Sequence, residues 1–309
     1  LSDFTPILNG KKRLTIERGG QWQEEMDIKF LMIVGTPPRD VLDIQQIWKV
    51  EKKSFSSINT DASFEPRNVL THSQGQFFKI RTAITGHGQE GEFIPRTHWV
   101  NVGGGNPEFS WQVWKECALN PLYPQGGTWI YDRAGWCPGM LTDVEEWDIS
   151  QEVSPGQMIE IDYGINTASG TSDYIVNHQL VSYGAANHAL DAKLVNIISP
   201  SNEIQFGRIG KICEGVEIVI QNTGSSPLNS LKIDYWVNNA STPQTYHWTG
   251  NLGFMETEKV VLPSSLALWD ALNGNDDVVH VAISSPNGGS DEYIFNNELH
   301  SSFSIPDIM

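Results

Sequence analysis

The sequence predicts an all-β protein assembled from consecutive β-sandwiches. Three observations carry that expectation: apolar residues recur with a period of two, turn residues separate those runs, and the composition favours strands. The 28 glycines, 16 prolines and 11 tryptophans sit beside few runs of strong helix formers, the balance expected of strands joined by tight turns. From Met158 to Ile165 the chain alternates so that Ile159, Ile161, Tyr163 and Ile165 share one face. Val216/Ile218/Ile220, Leu231/Ile233/Tyr235/Val237 and Val279/Val281/Ile283 repeat the pattern. A strand with one apolar face is half-buried in an antiparallel sheet. The one helical stretch expected is short, over residues 266–272 after Ser264 and Ser265.

The 309 residues suit two or three domains of ~100–150 residues each. Two turn-rich breaks divide them, Val34-Gly35-Thr36-Pro37-Pro38-Arg39-Asp40 and Ile198-Ser199-Pro200-Ser201-Asn202. The expected units are therefore 1–38, 39–199 and 200–309. Beyond the second break, strand signals at short regular spacing predict an immunoglobulin-like sandwich.

Twenty basic against 37 acidic side chains give a net charge of −17. That balance argues against nucleic acid or an anionic membrane as a partner, because phosphate binding needs a cationic surface. No apolar run approaches the ~20 residues needed to cross a bilayer, so membrane insertion is not expected. The opening Leu1-Ser2-Asp3-Phe4 lacks the basic start and apolar stretch of an export signal, and Leu1 reads as an internal point of a longer chain. Three cysteines cannot all pair. Cys117 and Cys137 lie in one segment, so a disulfide between them with a buried free Cys213 is expected. Such a bond implies an oxidising compartment, hence a secreted or cell-surface protein. The spacing is too wide for a Cys-x-x-Cys metal or redox site.

Tyr131-Asp132-Arg133-Ala134-Gly135-Trp136-Cys137-Pro138-Gly139-Met140 is the most distinctive string. An Asp-Arg pair beside a tryptophan, pinned by a cysteine and two turn residues, makes a rigid loop that can present a guanidinium and an indole to a polar ligand. The competing reading is a structural loop with an internal Asp132–Arg133 contact.

That string resembles one in the peptide-N-glycosidase F family, and three upstream blocks resemble the same family in order. Cys117-Ala118-Leu119-Asn120-Pro121 is similar to its Cys-x-x-Asn-Pro, Arg81-Thr82-Ala83-Ile84-Thr85-Gly86-His87-Gly88 to its Arg-Thr-Thr-Ile-Ser-Gly-Trp-Gly, and Glu92-Phe93-Ile94-Pro95-Arg96-Thr97-His98 to its Glu-Trp-Cys-Phe-Arg-Thr-His. Asp3-Phe4, Leu8, Gly10, Leu14-Thr15-Ile16, Trp22 and Val34-Gly35-Thr36-Pro37 echo the last strands of its first domain. The resemblance spans residues 1–199. It implies two jelly rolls packed across a cleft, the first only partial here (1–38) and the second complete (39–199). The implied reaction is hydrolysis of the amide joining asparagine to the first N-acetylglucosamine of an N-linked glycoprotein or glycopeptide, without metal or organic cofactor. Glu92 falls on a catalytic glutamate, Arg133 and Trp136 on residues lining the cleft, and Trp22 on a first-domain tryptophan of that cleft.

There are departures. The family's principal aspartate comes from the first half of its first domain, upstream of anything matched here. Gly19-Gly20-Gln21 stands where a second glutamate sits, with Glu17 the nearest carboxylate. The cysteines flanking the glutamate are replaced by Gly91 and Ile94, and the strand's tryptophan by His87, a candidate substrate contact. These substitutions keep a second expectation open: a catalytically silent glycan- or protein-binding module of a larger secreted or surface assembly, joined to other domains or subunits.

A third expectation is a type II copper monooxygenase-like jelly roll, with His87 and His98 converging from neighbouring strands, although no His-x-His or methionine ligand accompanies them. Asn273-Gly274-Asn275-Asp276-Asp277 reads as a turn rather than a calcium loop. The last unit, with its Asn222-Thr223-Gly224 turn, is similar to adhesion-like modules of bacterial secreted proteins. Its expected role is spacing or docking, and Trp236, opposite the core face, is a candidate sugar contact.

Overall fold

The computed structural model describes residues 2–15, 28, 30, 33–104, 108–120, 130–166, 170–206, 215–274 and 276–305. Among the described residues of 1–38 there is no strand: Ser2–Phe4 is a 3-10 turn and Thr5–Leu8 (α1) a single helical turn. Much of the stretch that carries the first-domain resemblance, Ile16 and Trp22 included, lies outside the described residues. Pro6 stands at the helix start, where its missing N–H costs nothing.

Among the described residues the first sandwich has eight strands: β1 (Arg39–Ser54), β2 (Arg67–Leu70), β3 (Phe77–His87), β4 (Arg96–Val102), β5 (Phe109–Val113), β6 (Glu145–Asp148), β7 (Met158–Ile165) and β8 (Asp173–Ala186). They form two antiparallel sheets in the orders β1-β8-β3-β6 and β2-β7-β4-β5. The first pairs strand one with eight and three with six, the second two with seven and four with five, which is jelly-roll connectivity. Along β3 every second residue from Phe78 to Gly86 is buried and its neighbours face outward. The facing surfaces meet in one core around Trp48, Ile80, Ile161, Tyr163 and Val176. Helical turns α2 (Phe55–Asn59) and α3 (Gln89–Phe93) lie on the connections after β1 and β3.

The second sandwich comprises β9 (Ala192–Ser199), β10 (Val216–Asn222), β11 (Leu228–Val237), β12 (Gln244–Leu252), β13 (Thr257–Leu262), β14 (Asp277–Ser284) and β15 (Glu298–Phe303), with helical turn α4 (Leu266–Trp269) before β14. Its sheets run β13-β10-β9 and β12-β11-β14-β15. The alternating residues singled out on β10, β11 and β14 are all buried in a second core. β9 belongs here, since Ile218 pairs with Ile197 and Ile220 with Leu194. The break expected at 198–202 follows this strand, so residues 192–199 pack with the second core and not the first.

At the Asn273–Asp277 stretch the buried Asp277 carboxylate accepts the Asn273 and Gly274 N–H groups at 2.9 and 3.3 Å and the Asn238 amide at 2.7 Å. No helix among the described residues is long and apolar enough to cross a membrane.

Candidate functional site

The site forms where β3 ends and the chain turns back toward β4. Gly86 and Gly88 make that turn possible. A Cβ on Gly86 would stand 2.0 Å from the Gly91 carbonyl oxygen. Gly88 has φ +77, and a Cβ there would meet the Thr171 carbonyl at 1.8 Å. Only glycine tolerates both the left-handed backbone and such close approach. The Glu92 N–H then donates to Gly88 O at 2.8 Å, closing the α3 turn and setting the glutamate on its inner side.

Residues 115–120 and 130–143 lie against this turn and are stapled to each other in three ways. Cys117 and Cys137 form a disulfide. Lys115 and Arg133 exchange backbone hydrogen bonds at 2.8 and 3.1 Å. The Asp132 carboxylate accepts the Cys117 N–H at 3.0 Å. The loop is tied to the β3 turn through backbone bonds from Gly86 N–H to Ala134 O (2.9 Å) and from Ala134 N–H to Glu92 O (3.0 Å). Trp136 completes the tie by donating its indole N–H to Gly86 O at 3.1 Å.

These ties place Arg133 Nε 2.8 Å from Glu92 Oε1, with the arginine side chain 3% and the glutamate 20% exposed. The guanidinium also donates to Tyr131 O at 3.0 Å and lies 5.3 Å from the Phe93 ring centre and 5.1 Å from that of Trp136. A planar cation held between two aromatic rings and a carbonyl keeps one orientation, so the glutamate it grips does too. His87 stacks on Trp136 with ring centres 5.9 Å apart, and its Nε2 shares a 2.8 Å hydrogen bond with Thr85 Oγ1. Burial, then the nearby Lys52 charge, pull the His87 pKa below the usual imidazole value against the pull of Glu92 and Asp173, which keeps this ring neutral at pH 7. Beside the loop lies an open groove of about 580 Å³ lined by Phe93, Trp114, Ala118, Ile130, Tyr131 and Asp132.

A carboxylate anchored through one oxygen retains the lone pairs of the other for a water or a substrate N–H. Among the described residues no protein donor occupies Glu92 Oε2. The arrangement can position a nucleophilic water beside a rigid aromatic wall.

Residues 54–183 match the family model described as "Peptide-N-glycosidase F, C terminal". The first sandwich is peptide-N-glycosidase F-like. A curated relative, the Peptide-N(4)-(N-acetyl-beta-D-glucosaminyl)asparagine amidase F of Elizabethkingia miricola, is 27% identical over 157 residues, which cover 45% of this chain and 44% of the relative. The chain thus spans less than half the length of that amidase. Among solved structures, PNGase F, a glycosylasparaginase from Flavobacterium meningosepticum, aligns with 49% of this chain and 55% of its own at 21% identity and TM-score 0.41. A Bacteroides uniformis beta-glucuronidase covers 77% of this chain and 26% of its own at 12% identity and TM-score 0.29.

In the peptide-N-glycosidase F-like sandwich, Glu92, Arg133, Trp136 and His87 converge as one cluster. Trp22, Glu17 and Cys213 lie outside the described residues. Arg133, expected to line the cleft, is buried and engages Glu92. Among the described residues the expected internal Asp132–Arg133 contact does not form: Asp132 accepts the Cys117 N–H, and the Arg133 guanidinium is turned to Glu92. His87 and His98 do not converge either. They stand on different sheets, His87 on an outward position of β3 and His98 on an inward position of β4, fully buried and sharing a 2.8 Å hydrogen bond with the Tyr163 hydroxyl. The two-histidine copper arrangement is thereby withdrawn.

Sequence reasoning missed Lys115, which donates to Leu141 O at 2.8 Å and ion-pairs with Asp143, fastening the far side of the loop. It also missed the groove residues Trp114, Ile130 and Tyr131. Tyr131 opens the distinctive string, and an aromatic residue immediately before the Asp-Arg pair is the signal that was available.

Proposed function

We propose that this protein hydrolyses the amide between asparagine and the first N-acetylglucosamine of N-linked glycoproteins or glycopeptides, with Glu92 as the carboxylate that orients the attacking water. The observation that carries the reading is the 2.8 Å Arg133–Glu92 pair, locked in a cystine-tethered loop against Trp136. Water adds to the amide carbon, the C–N bond breaks, and the products are an aspartate side chain and a glycosylamine. Glu92 Oε2 accepts a hydrogen bond from that water, and Arg133 keeps the carboxylate from rotating away. Trp136 and His87 offer a flat wall for a sugar face, and Trp22 is a further contact by the same resemblance. No metal or organic cofactor enters this chemistry. The cystine favours a secreted or cell-surface setting. The seven-strand sandwich, with β9 as its first strand, reads as an immunoglobulin-like spacer or docking module of a larger assembly.

A second reading is favoured by the closure of Arg133 on Glu92: a glycan- or partner-binding site in which the carboxylate only accepts hydrogen bonds. The two separate in one experiment. The chain is incubated with a denatured N-glycoprotein, and glycan release is followed by mass shift for the wild type and for Glu92→Gln. The amidase reading expects release by the wild type and a loss of at least a hundredfold in the variant. Folded wild type that releases nothing, yet binds glycopeptide as well as Glu92→Gln does, establishes the binding reading instead.

A further inference from the structure

The outer face of the β12-β11-β14-β15 sheet carries a cross-strand row that the site above does not use. Trp236 pairs with His280 in the β11–β14 register, and His280 pairs with His300 in the β14–β15 register. All three side chains point away from the core, because their neighbours Tyr235, Val237, Val279, Val281 and Ser301 are buried. The Trp236 and His280 rings are stacked at 5.1 Å with planes 5° apart. The His280 and His300 ring centres are 5.9 Å apart, and His300 is exposed. Among the described residues neither imidazole is hydrogen-bonded to protein. Glu298, two residues before His300 on the same face, sets a carboxylate close enough for its charge to act on His280.

We propose that His280 and His300 form a two-imidazole chelate for a late first-row divalent cation, Cu2+ in first place and Zn2+ more weakly. Directly opposed residues on antiparallel strands have Cβ atoms ~4.5–5.5 Å apart, the span across which two side chains can close on one ion. With each nitrogen ~2.0–2.1 Å from the ion, ring centres ~5 Å apart give tetrahedral or square coordination angles, so the rings must approach by about 1 Å. His300 is exposed and can make that movement, while Trp236 holds His280 in place. Imidazole suits copper, nickel and zinc, and the affinity order among divalent ions peaks at copper. No group of three His, Cys, Asp or Glu ligands is gathered among the described residues. Two protein nitrogens with solvent completing the shell is therefore the expected form, with Glu298 the nearest candidate for a further oxygen. Elsewhere on this face Lys232 pairs with Asp234 at 2.6 Å, Asp234 accepts from Thr245 Oγ1 at 2.5 Å, and the exposed His247 stands opposite Lys232 in the β11–β12 register. Burial, then the neighbouring His300, lower the His280 pKa, which favours the unprotonated ligand form. An ion bound here would tie β15 to β14, so binding should raise stability according to its concentration relative to Kd.

The test is calorimetric titration of the chelator-treated full chain with Cu2+ and separately with Zn2+, alongside His300→Gln and His280→Gln. One equivalent of Cu2+ should bind, more tightly than Zn2+, with a copper resonance spectrum showing two imidazole nitrogens. His300→Gln should weaken copper binding at least tenfold and abolish the copper-induced rise in Tm, with its metal-free Tm unchanged because the residue is exposed. Wild type that takes up no copper at millimolar concentration, or a folded His300→Gln that binds as tightly as wild type, overturns the proposal. His280→Gln also disturbs the Trp236 stack, so His300→Gln is the deciding variant. The outcome is independent of any amidase activity.

Discussion

Acid should unfold the first sandwich through two histidines buried in its core. His98 and His178 are both fully buried. Their Nδ1 atoms share 2.8 Å hydrogen bonds with the hydroxyls of Tyr163 and Thr82 respectively, and among the described residues neither Nε2 atom has a partner. Protonation would place an imidazolium N–H against an apolar core with no acceptor, and burial lowers each pKa to about 3. In the unfolded chain a histidine titrates near ~6.5. Below that pH the unfolded state binds protons that the folded state refuses, so stability present above ~6.5 is lost as pH falls toward the folded value. Each histidine contributes ~1.4 kcal/mol per pH unit in this window, and the pair about 5 kcal/mol between pH 6 and pH 4. Against a typical stability of ~5–15 kcal/mol, that is enough to bring the sandwich to its unfolding midpoint in mild acid. Denaturant titrations at half-unit pH steps, read by hydrogen exchange of β3, β4, β7 and β8, measure the slope. His178→Asn keeps an acceptor near the Nδ1 position and should remove close to one proton from that slope. A slope below one proton in the wild type, or one unchanged in the variant, would refute the reasoning.

Other consequences concern the pairings around the loop and the linker. Arg133→Gln should destabilise by about 3 kcal/mol, since removing one member of a buried pair leaves the other unpaired. Adding Glu92→Gln to it should recover part of the loss, measured as a double-mutant cycle in denaturant. Replacing Cys117 and Cys137 by alanine opens a link between residues 20 apart, and loop-closure entropy predicts a loss of ~3 kcal/mol, read as a lower Tm. Asp191 is buried between Thr223, whose hydroxyl donates to it at 2.5 Å, and Asp291. Burial, then the second carboxyl, raise its pKa, so the stability it supports is full below the ordinary carboxylate pKa and falls as pH rises through the folded value. Asp191→Asn should therefore be more stable than wild type at pH 8 and no more stable at pH 4 in paired thermal melts.

Local patterning determined a good deal of this protein. Alternation in Met158–Ile165 and in the β10, β11 and β14 runs follows from the two-residue repeat of a pleated strand, and every apolar position so marked is buried. The Cys117–Cys137 bond follows from three cysteines of which two share a segment. The glutamate of the Glu-Phe-Ile-Pro-Arg-Thr-His block and the Asp-Arg-Ala-Gly-Trp-Cys string were legible because each is a contiguous motif of distinctive residues.

Tertiary structure decided what contiguous motifs cannot encode. Adjacent in sequence to Arg133 is Asp132, yet its partner is Glu92, 41 residues away, because the crossing of the loop over the β3 turn aims the guanidinium there. The 192–199 run carries apolar residues that could join either sandwich, and only its pairing with β10 assigns it to the second. His87 and His98 look like neighbours along the chain, but the α3 turn sends the next strand to the opposite sheet, so one imidazole faces outward and the other enters the core. Periodicity states which face of a strand is apolar. Which strand it meets, and which distant side chain completes a charge, is a property of closure in three dimensions.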